Sequence, residues 1–68
     1  MKVYKNKLTS REIEVLKLIT KGWSNFSISQ KLFISESTTK AHLGHIFVKL
    51  KVQNRTQAAL KAIKNGIL

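Results

Sequence analysis

Two histidines are the side chains in this 68-residue chain whose type and spacing come closest to a metal site. His42 and His45 are three residues apart, so both would lie on one side of a helix. A third ligand is hard to find, because the chain has no cysteine and no aspartate, and Glu36 is the only glutamate nearby. No Ser/His/Asp set, phosphate-binding loop or close pair of acids is present either. The sequence therefore predicts no metal site, no cofactor and no enzyme.

Positive charge is the feature with the clearest chemical meaning. Thirteen Lys and Arg residues oppose three Glu residues, for a formal net charge of +10, and no acid lies between Lys40 and the C-terminus. A folded domain that repels itself this strongly indicates a polyanionic partner, and nucleic acid is the leading candidate. The alternative is that the lysines are scattered and serve only solubility.

Apolar residues recur with the period of an α-helix from Leu8 onward. Thr9 and Glu12 have the spacing of a capping box at the start of a first helix, and Gly22 lies just past its end. Ser24 can cap a second, shorter helix that runs to about Leu32.

Ser35 can cap a third helix, which we expect from Glu36 to about Leu50. Its apolar residues and Thr39 fall on one face: Leu43, Ile46, Phe47 and Leu50. Lys40 lies on the flank, and the outer face carries small or neutral side chains: Ser37, Ala41, Gly44, His45 and Val48. A helix that needed only solubility would carry Glu, Lys and Gln there. Small side chains allow close approach, and a DNA major groove, about 12 Å wide, admits such a helix.

The fourth helix is expected from about Arg55 to Asn65, with Gly66 as its stop. Three of its apolar residues should face inward: Ala59, Leu60 and Ile63. Ala58 and Ala62, one turn apart, should form a smooth patch on another side.

No stretch alternates with a period of two, so no strand is expected. The short connection between the second and third helices sets them at a steep angle, which is typical of a helix-turn-helix. We therefore predict an all-α, compact four-helix helix-turn-helix domain over residues 8–68, behind a basic lead-in or linker stub over residues 1–7.

Two aromatic residues beside the Gly22 turn, Trp23 and Phe26, could stack on single-stranded bases. We favour a role in closing the core, because neither lies on the basic third helix. His42 should lie near the core boundary, and His45 should be exposed.

Three stretches together are similar to the LuxR-type (LuxR/FixJ) helix-turn-helix domain. The first is Leu8-Thr-Ser-Arg-Glu12 with Glu14-Val-Leu16, Gly22 and Ser24-Asn25. The second is Leu32-Phe-Ile-Ser35-Glu-Ser-Thr38-Thr-Lys40-Ala-His42. The third is Ile46, Lys49-Leu50, Val52 and Asn54-Arg55-Thr-Gln-Ala58. The resemblance implies a DNA-binding domain of a bacterial transcription regulator, response-regulator effector domains included, with its third helix in the major groove.

The resemblance also implies roles for single residues. Lys40 falls on a family DNA contact, Ala41 and Gly44 on the next readout positions, and Asn54-Arg55-Thr56 on a segment with backbone-contacting and structural roles. A solvated surface lysine is the alternative for Lys40.

Three residues depart from the family pattern: Ser27 stands where Glu is usual, Thr39 where Val is usual, and Gly44 where a side chain is usual. We expect the Thr39 hydroxyl to bond a backbone carbonyl one turn back.

The start of the third helix could bind phosphate through its N–H groups and the hydroxyls of Ser35 and Thr38, although ordinary capping explains both residues equally well. Three basic residues cluster where that helix ends: Lys49, Lys51 and Arg55. At least one of them should contact phosphate, unless they form only a solvated charge run. The predicted DNA contacts are Ser35, Ser37, Thr38, Lys40, Ala41, Gly44, His45, Lys49, Lys51 and Arg55.

In the family the fourth helix often mediates dimerisation, which makes Ala58, Lys61, Ala62 and Asn65 the candidates here. Dimerisation should be weak, because the patch is small and Lys61 is charged. The expected partners are double-stranded DNA, a second copy on DNA, RNA polymerase and an N-terminal receiver domain, in the cytoplasm and away from membranes. The alternative is a helical protein-interaction module with only non-specific affinity for nucleic acid.

Overall fold

The computed structural model describes residues 7–67, which form four helices and no strand. The helices are α1 (Ser10–Thr20), α2 (Asn25–Leu32), α3 (Glu36–Leu50) and α4 (Arg55–Lys64). The all-α, four-helix prediction is therefore confirmed for this range. Most of the basic lead-in predicted over residues 1–7 lies outside the described residues, as does Leu68.

Each helix begins at a side chain that accepts a hydrogen bond from a backbone N–H of the first turn. Thr9 Oγ1 accepts from the Glu12 N–H at 3.1 Å, and Glu12 Oε1 accepts from the Thr9 N–H at 3.0 Å, which completes the predicted capping box. Ser24 and Ser35 cap α2 and α3 as predicted, and Asn54 caps α4. The polar residue that precedes each helix in the sequence thus determines where that helix starts.

The four helices also end alike. A residue one or two positions past each helix adopts a left-handed conformation, and the N–H of the residue after it bonds to a carbonyl five residues back. Gly22 and Gly66 take this role at α1 and α4, with φ of 87° and 62°. Phe33 and Lys51 take it at α2 and α3, with φ of 58° and 59°, although side chains disfavour that region.

A core of apolar side chains from all four helices and from the segments on either side of them holds the domain together. Its largest fully buried apolar members are Leu16, Ile28, Ile46, Leu50 and Ile67. The hydroxyl of Thr39 is buried with them and donates to the Ser35 carbonyl at 3.1 Å, which confirms the partner expected for it.

The predicted facing of α4 is wrong. Ala58 and Ala62 are fully buried, whereas Leu60 and Ile63 are 62% and 67% exposed. Ala59 alone of the three residues expected inward packs partly against the core. The physical reason is that α4 lies against both α1 and α3, and alanine lets helix backbones approach closely.

The two aromatic residues that follow Gly22 differ in burial. Trp23 is half-buried and packs against the core as predicted. Phe26 is 57% exposed, so its predicted core position is wrong. A separation of two residues corresponds to a rotation of about 200° around the helix axis. Phe26 therefore lies on the side of α2 opposite to buried Ile28.

Candidate nucleic-acid interface

The core fixes α3 by one face and leaves the other free. Thr39, Leu43, Ile46 and Leu50 are buried, and His42 lies at the boundary, as predicted. Every residue predicted for the outer face is exposed: Ser37, Ala41, Gly44, His45 and Val48. Lys40 is exposed as well. The predicted orientation of α3 is therefore confirmed.

The centre of this outer face can be described by angle. With about 100° per residue, Ser37, Ala41, Gly44 and Val48 fall within an arc of about 60°; we call these four residues the α3 strip. Lys40 lies about 40° beyond one edge of the strip, and His45 about 40° beyond the other. A Cβ atom added at Gly44 would meet nothing within 4 Å, so the middle of the strip is open. The strip is thus a smooth surface flanked by one lysine and one histidine.

Lys40 and Gly44 border a groove of about 430 Å³ between α3, the start of α2 and the start of α4. Its floor is apolar, formed by Leu43 and Phe47. Its far rim is polar, formed by Asn25, Gln53, Asn54 and Arg55. The groove runs beside the strip, so a partner that lies on the strip borders this groove on its Lys40 side.

At the N-terminus of α3 the two hydroxyls are used for capping. Ser35 Oγ accepts from the Thr38 N–H and donates to Thr38 Oγ1, both at 2.9 Å. Both residues are exposed, so an oxygen or donor on a partner can still reach them. A phosphate contact there stays a prediction.

Lys49 is tied to the core instead of being free at the surface. Its Nζ donates to Glu12 Oε1 at 2.7 Å, and the carboxylate is only 5% exposed. His45 Nδ1 lies 4.0 Å from the other carboxylate oxygen. Burial alone would raise the pKa of Glu12, but the hydrogen bond from Lys49, the Thr9 N–H and the charges of Lys49 and His45 outweigh burial and lower it. Lys49 is therefore a poor candidate for phosphate binding.

Arg55 is likewise committed to the fold. Its guanidinium donates to Asn25 Oδ1 at 2.6 Å and to the Trp23 carbonyl. These bonds fasten the start of α4 to the turn between α1 and α2. Three basic residues were predicted to cluster at the end of α3. Among them, Lys51 is the one that is exposed and has no side-chain partner among the described residues.

Sequence reasoning missed both of these contacts. Glu12 precedes Leu16 and Ile19 by four and seven residues, so it lies on the buried stripe of α1, and that spacing could have indicated a buried acid in need of a cation. No pattern indicates the Arg55–Asn25 bond, because the two residues are 30 positions apart.

Two of the predicted dimer-face residues are excluded. Ala58 and Ala62 are fully buried within the domain and cannot form a surface patch. Lys61 is half-buried, and Asn65 is exposed with its amide donating to the Lys61 carbonyl at 3.0 Å. The apolar surface that α4 does expose is formed by Leu60 and Ile63.

Residues 7–67 contain neither a metal-binding cluster nor a membrane-spanning helix. No group of three or more His, Cys, Asp and Glu side chains could hold a metal ion there. In the same part of the chain, no helix combines the length and apolar character needed to cross a bilayer.

Known proteins are similar to this chain in sequence. A family model described as bacterial regulatory proteins, luxR family, matches residues 6–62. The chain is 52% identical over 59 residues to the transcriptional regulatory protein DegU of Brevibacillus brevis, a match that covers 87% of this chain and 25% of DegU. It is 44% identical over 61 residues to the response regulator protein VraR of Staphylococcus aureus, covering 90% of this chain and 29% of VraR. The chain thus spans less than a third of the length of these relatives.

Solved structures share the fold. The response regulator ChrA of a heme-sensing two-component system superposes with a TM-score of 0.87 and 48% identity, covering 90% of this chain and 30% of ChrA. The transcription factor GerE superposes with a TM-score of 0.82 and 39% identity, covering 90% of this chain and 91% of GerE. The chain therefore belongs to the LuxR family of bacterial regulatory proteins, a family of DNA-binding transcription regulators and not of enzymes.

Proposed function

We propose that this domain is the effector domain of a bacterial response regulator and binds double-stranded DNA with α3 in the major groove. The observation that carries the proposal is the outer face of α3: an exposed strip of small side chains, flanked by Lys40, on a helix whose opposite face is anchored in the core. The net charge of +10 supplies attraction to phosphate, which is independent of sequence.

Within this proposal the residues divide by task. Lys40, Ala41, Gly44 and His45 face base edges from the strip and its flanks, while Ser35, Ser37 and Thr38 meet the DNA near the helix start. Lys51 contacts phosphate beyond the end of α3. Lys49 and Arg55 support the interface from behind by holding α3 and α4 in place.

The central test is Lys40→Ala, measured by fluorescence anisotropy on a duplex selected from a random pool and on a random duplex. Loss of a base contact should cost roughly 1–3 kcal/mol on the selected duplex and much less on the random one. The matched control is Lys17→Ala, which removes the same charge from the exposed side of α1, whereas the other side of that helix faces the core. Equal losses on both duplexes for Lys40→Ala would remove this residue from base readout.

The length of the relatives supports a proposal about the rest of the regulator. Because DegU and VraR are three to four times longer than the matched region, we propose that an N-terminal receiver domain precedes this one. We also propose that the regulator acts in the cytoplasm and contacts RNA polymerase from a surface that DNA leaves free.

We propose weak dimerisation on DNA through α4, now centred on Leu60 and Ile63 with Lys61 and Asn65 beside them. Two copies related by a two-fold axis would bind half-sites about one helical turn apart, near 34–36 Å.

A second candidate function is a helical protein-interaction module with only non-specific affinity for nucleic acid. Two exposed aromatic residues favour it: Phe26 on α2, which is 57% exposed, and Phe33 just beyond the end of α2, which is 94% exposed. Selection from a random duplex pool separates the two functions, because an interaction module would enrich no sequence.

A further inference from the structure

Val48 is the large apolar residue of the α3 strip, and 77% of it is exposed. It lies in the last third of α3, within about 20° of the mean direction of Ser37, Ala41 and Gly44. The buried face of α3 points away from it, so no other part of the described domain covers this side chain.

Stability of the domain does not account for a valine at this position. A β-branched residue is a poorer helix former than alanine or lysine, and its methyl groups lie in water. Single exposed apolar residues are common on protein surfaces. Val48 differs in its place, because it lies in line with the other residues of the proposed DNA-reading strip and three residues before Lys51, in the acid-free part of the chain.

The chemistry of a major groove leaves one kind of contact for such a side chain. Base edges there present hydrogen-bond donors and acceptors, and a single apolar group, the 5-methyl of thymine. Valine has no donor or acceptor, so a base-edge contact by Val48 has to be apolar. We infer that Val48 packs against the 5-methyl group of a pyrimidine, which is thymine in unmodified DNA, and thereby selects that base.

This inference rests on the proposed function and adds a docking geometry to it. From Ser37 to Val48 α3 rises about 16 Å, the length of roughly five base-pair steps. For both ends of the strip to touch bases, α3 has to lie along the groove instead of entering it by its first turn only.

The test is a double-mutant cycle between the protein and the DNA. The wild-type domain first selects a duplex from a random pool, and each thymine of that duplex is then replaced, one at a time, by deoxyuridine. We expect Val48→Ala to lower the affinity for the selected duplex about fourfold, as for roughly one buried methylene group. At one position deoxyuridine should cost the wild-type domain a similar factor, and at that position Val48→Ala should have no further effect.

A second arm identifies the methyl group itself. At the sensitive position a cytosine–guanine pair carrying 5-methylcytosine should bind the wild-type domain more tightly than the unmethylated pair, and this difference should vanish for Val48→Ala. A thermal melt serves as control: Val48→Ala should melt at the same temperature or higher, because the site is exposed and alanine favours helix.

The outcomes separate the two levels of the proposal. If Val48→Ala loses nothing, or loses equally at every deoxyuridine position, the inference about Val48 is wrong while the proposed function stands on Lys40→Ala. If the wild-type domain enriches no sequence at all, both are wrong.

Discussion

Phe33 holds a conformation that its side chain disfavours. It ends α2 with φ of 58° and ψ of 44°, and its ring is 94% exposed, so no packing within the described domain offsets the strain. A left-handed residue with a Cβ costs about 1–2 kcal/mol relative to the ordinary helical region. Glycine avoids this cost, although it loses more entropy on folding.

We expect Phe33→Gly to stabilise the domain by about 0.5–1 kcal/mol in urea unfolding, the relief of strain less the added entropy cost. The matched control is Phe26→Gly, the same chemical change at an exposed site inside α2, which should destabilise by about 1 kcal/mol. A loss of stability for Phe33→Gly would mean that the ring makes a stabilising contact in the folded domain.

The two lysines at the end of α3 are chemically alike, but the structure places them differently. Lys49 is paired with Glu12, while Lys51 is exposed at the C-cap. Lys51→Ala should therefore reduce the slope of log affinity against log salt by about one unit on any duplex. Lys49→Ala should leave that slope unchanged and lower the melting temperature instead. Anisotropy titrations at several salt concentrations give both slopes, and a smaller slope for Lys49→Ala would contradict its internal role.

At the scale of elements, the Glu12–Lys49 pair joins the first turn of α1 to the last turn of α3. The pKa of Glu12 is lower in the folded domain than its ordinary value near 4.5. Its contribution to stability is therefore fully present above that value, and it is lost as the pH falls through the folded-state pKa.

Glu12→Gln should cost roughly 1–3 kcal/mol at neutral pH, because a charge-assisted bond between partly buried groups is replaced by a neutral one. The variant should also lose less stability than the wild type as the pH falls below about 4.5. Urea unfolding between about pH 7 and pH 3 measures both effects. Glu14→Gln, which removes an exposed carboxylate of the same helix, is the control and should change little. Identical acid responses of the Glu12→Gln variant and the wild type would show that this carboxylate does not link folding to pH.

Elements predicted from the sequence succeed where the information is local. Thr9, Ser24 and Ser35 each cap a helix by bonds that span three residues, so short-range chemistry determines the starts of α1, α2 and α3. The outer face of α3 was predictable for a similar reason, since its large apolar residues all share one side. The buried face of α4 was not predictable in this way. Two alanines pack inward while Leu60 and Ile63 point outward, and the space left by the neighbouring helices determines which side of α4 is buried.

At the scale of the whole molecule, this domain is small and strongly charged, and α4 exposes two large apolar residues, Leu60 and Ile63. A net charge of +10 makes two free copies repel each other, and DNA phosphates screen that repulsion. Association through Leu60 and Ile63 should therefore be negligible in solution and appear only on a duplex with two half-sites.

Leu60→Glu should abolish cooperative binding to a duplex with two half-sites, lowering the Hill coefficient to about 1, because a charge replaces apolar contact area at the two-fold axis. Affinity for a single half-site should fall by less than about threefold, the effect of one added negative charge. Gel shifts on duplexes with one and two half-sites measure this difference. Retained cooperativity would place the contact between copies elsewhere.

One oxygen atom of Glu12 accepts both the N–H of Thr9 and the ammonium group of Lys49. The chain positions that it joins are 40 residues apart, and opening either contact leaves this oxygen with one partner fewer, on a carboxylate that is only 5% exposed. We therefore expect fraying at the start of α1 to weaken the bond that holds the helix end preceding Lys51. A change at Thr9 would then reach α3, the helix proposed to bind DNA, through this single carboxylate.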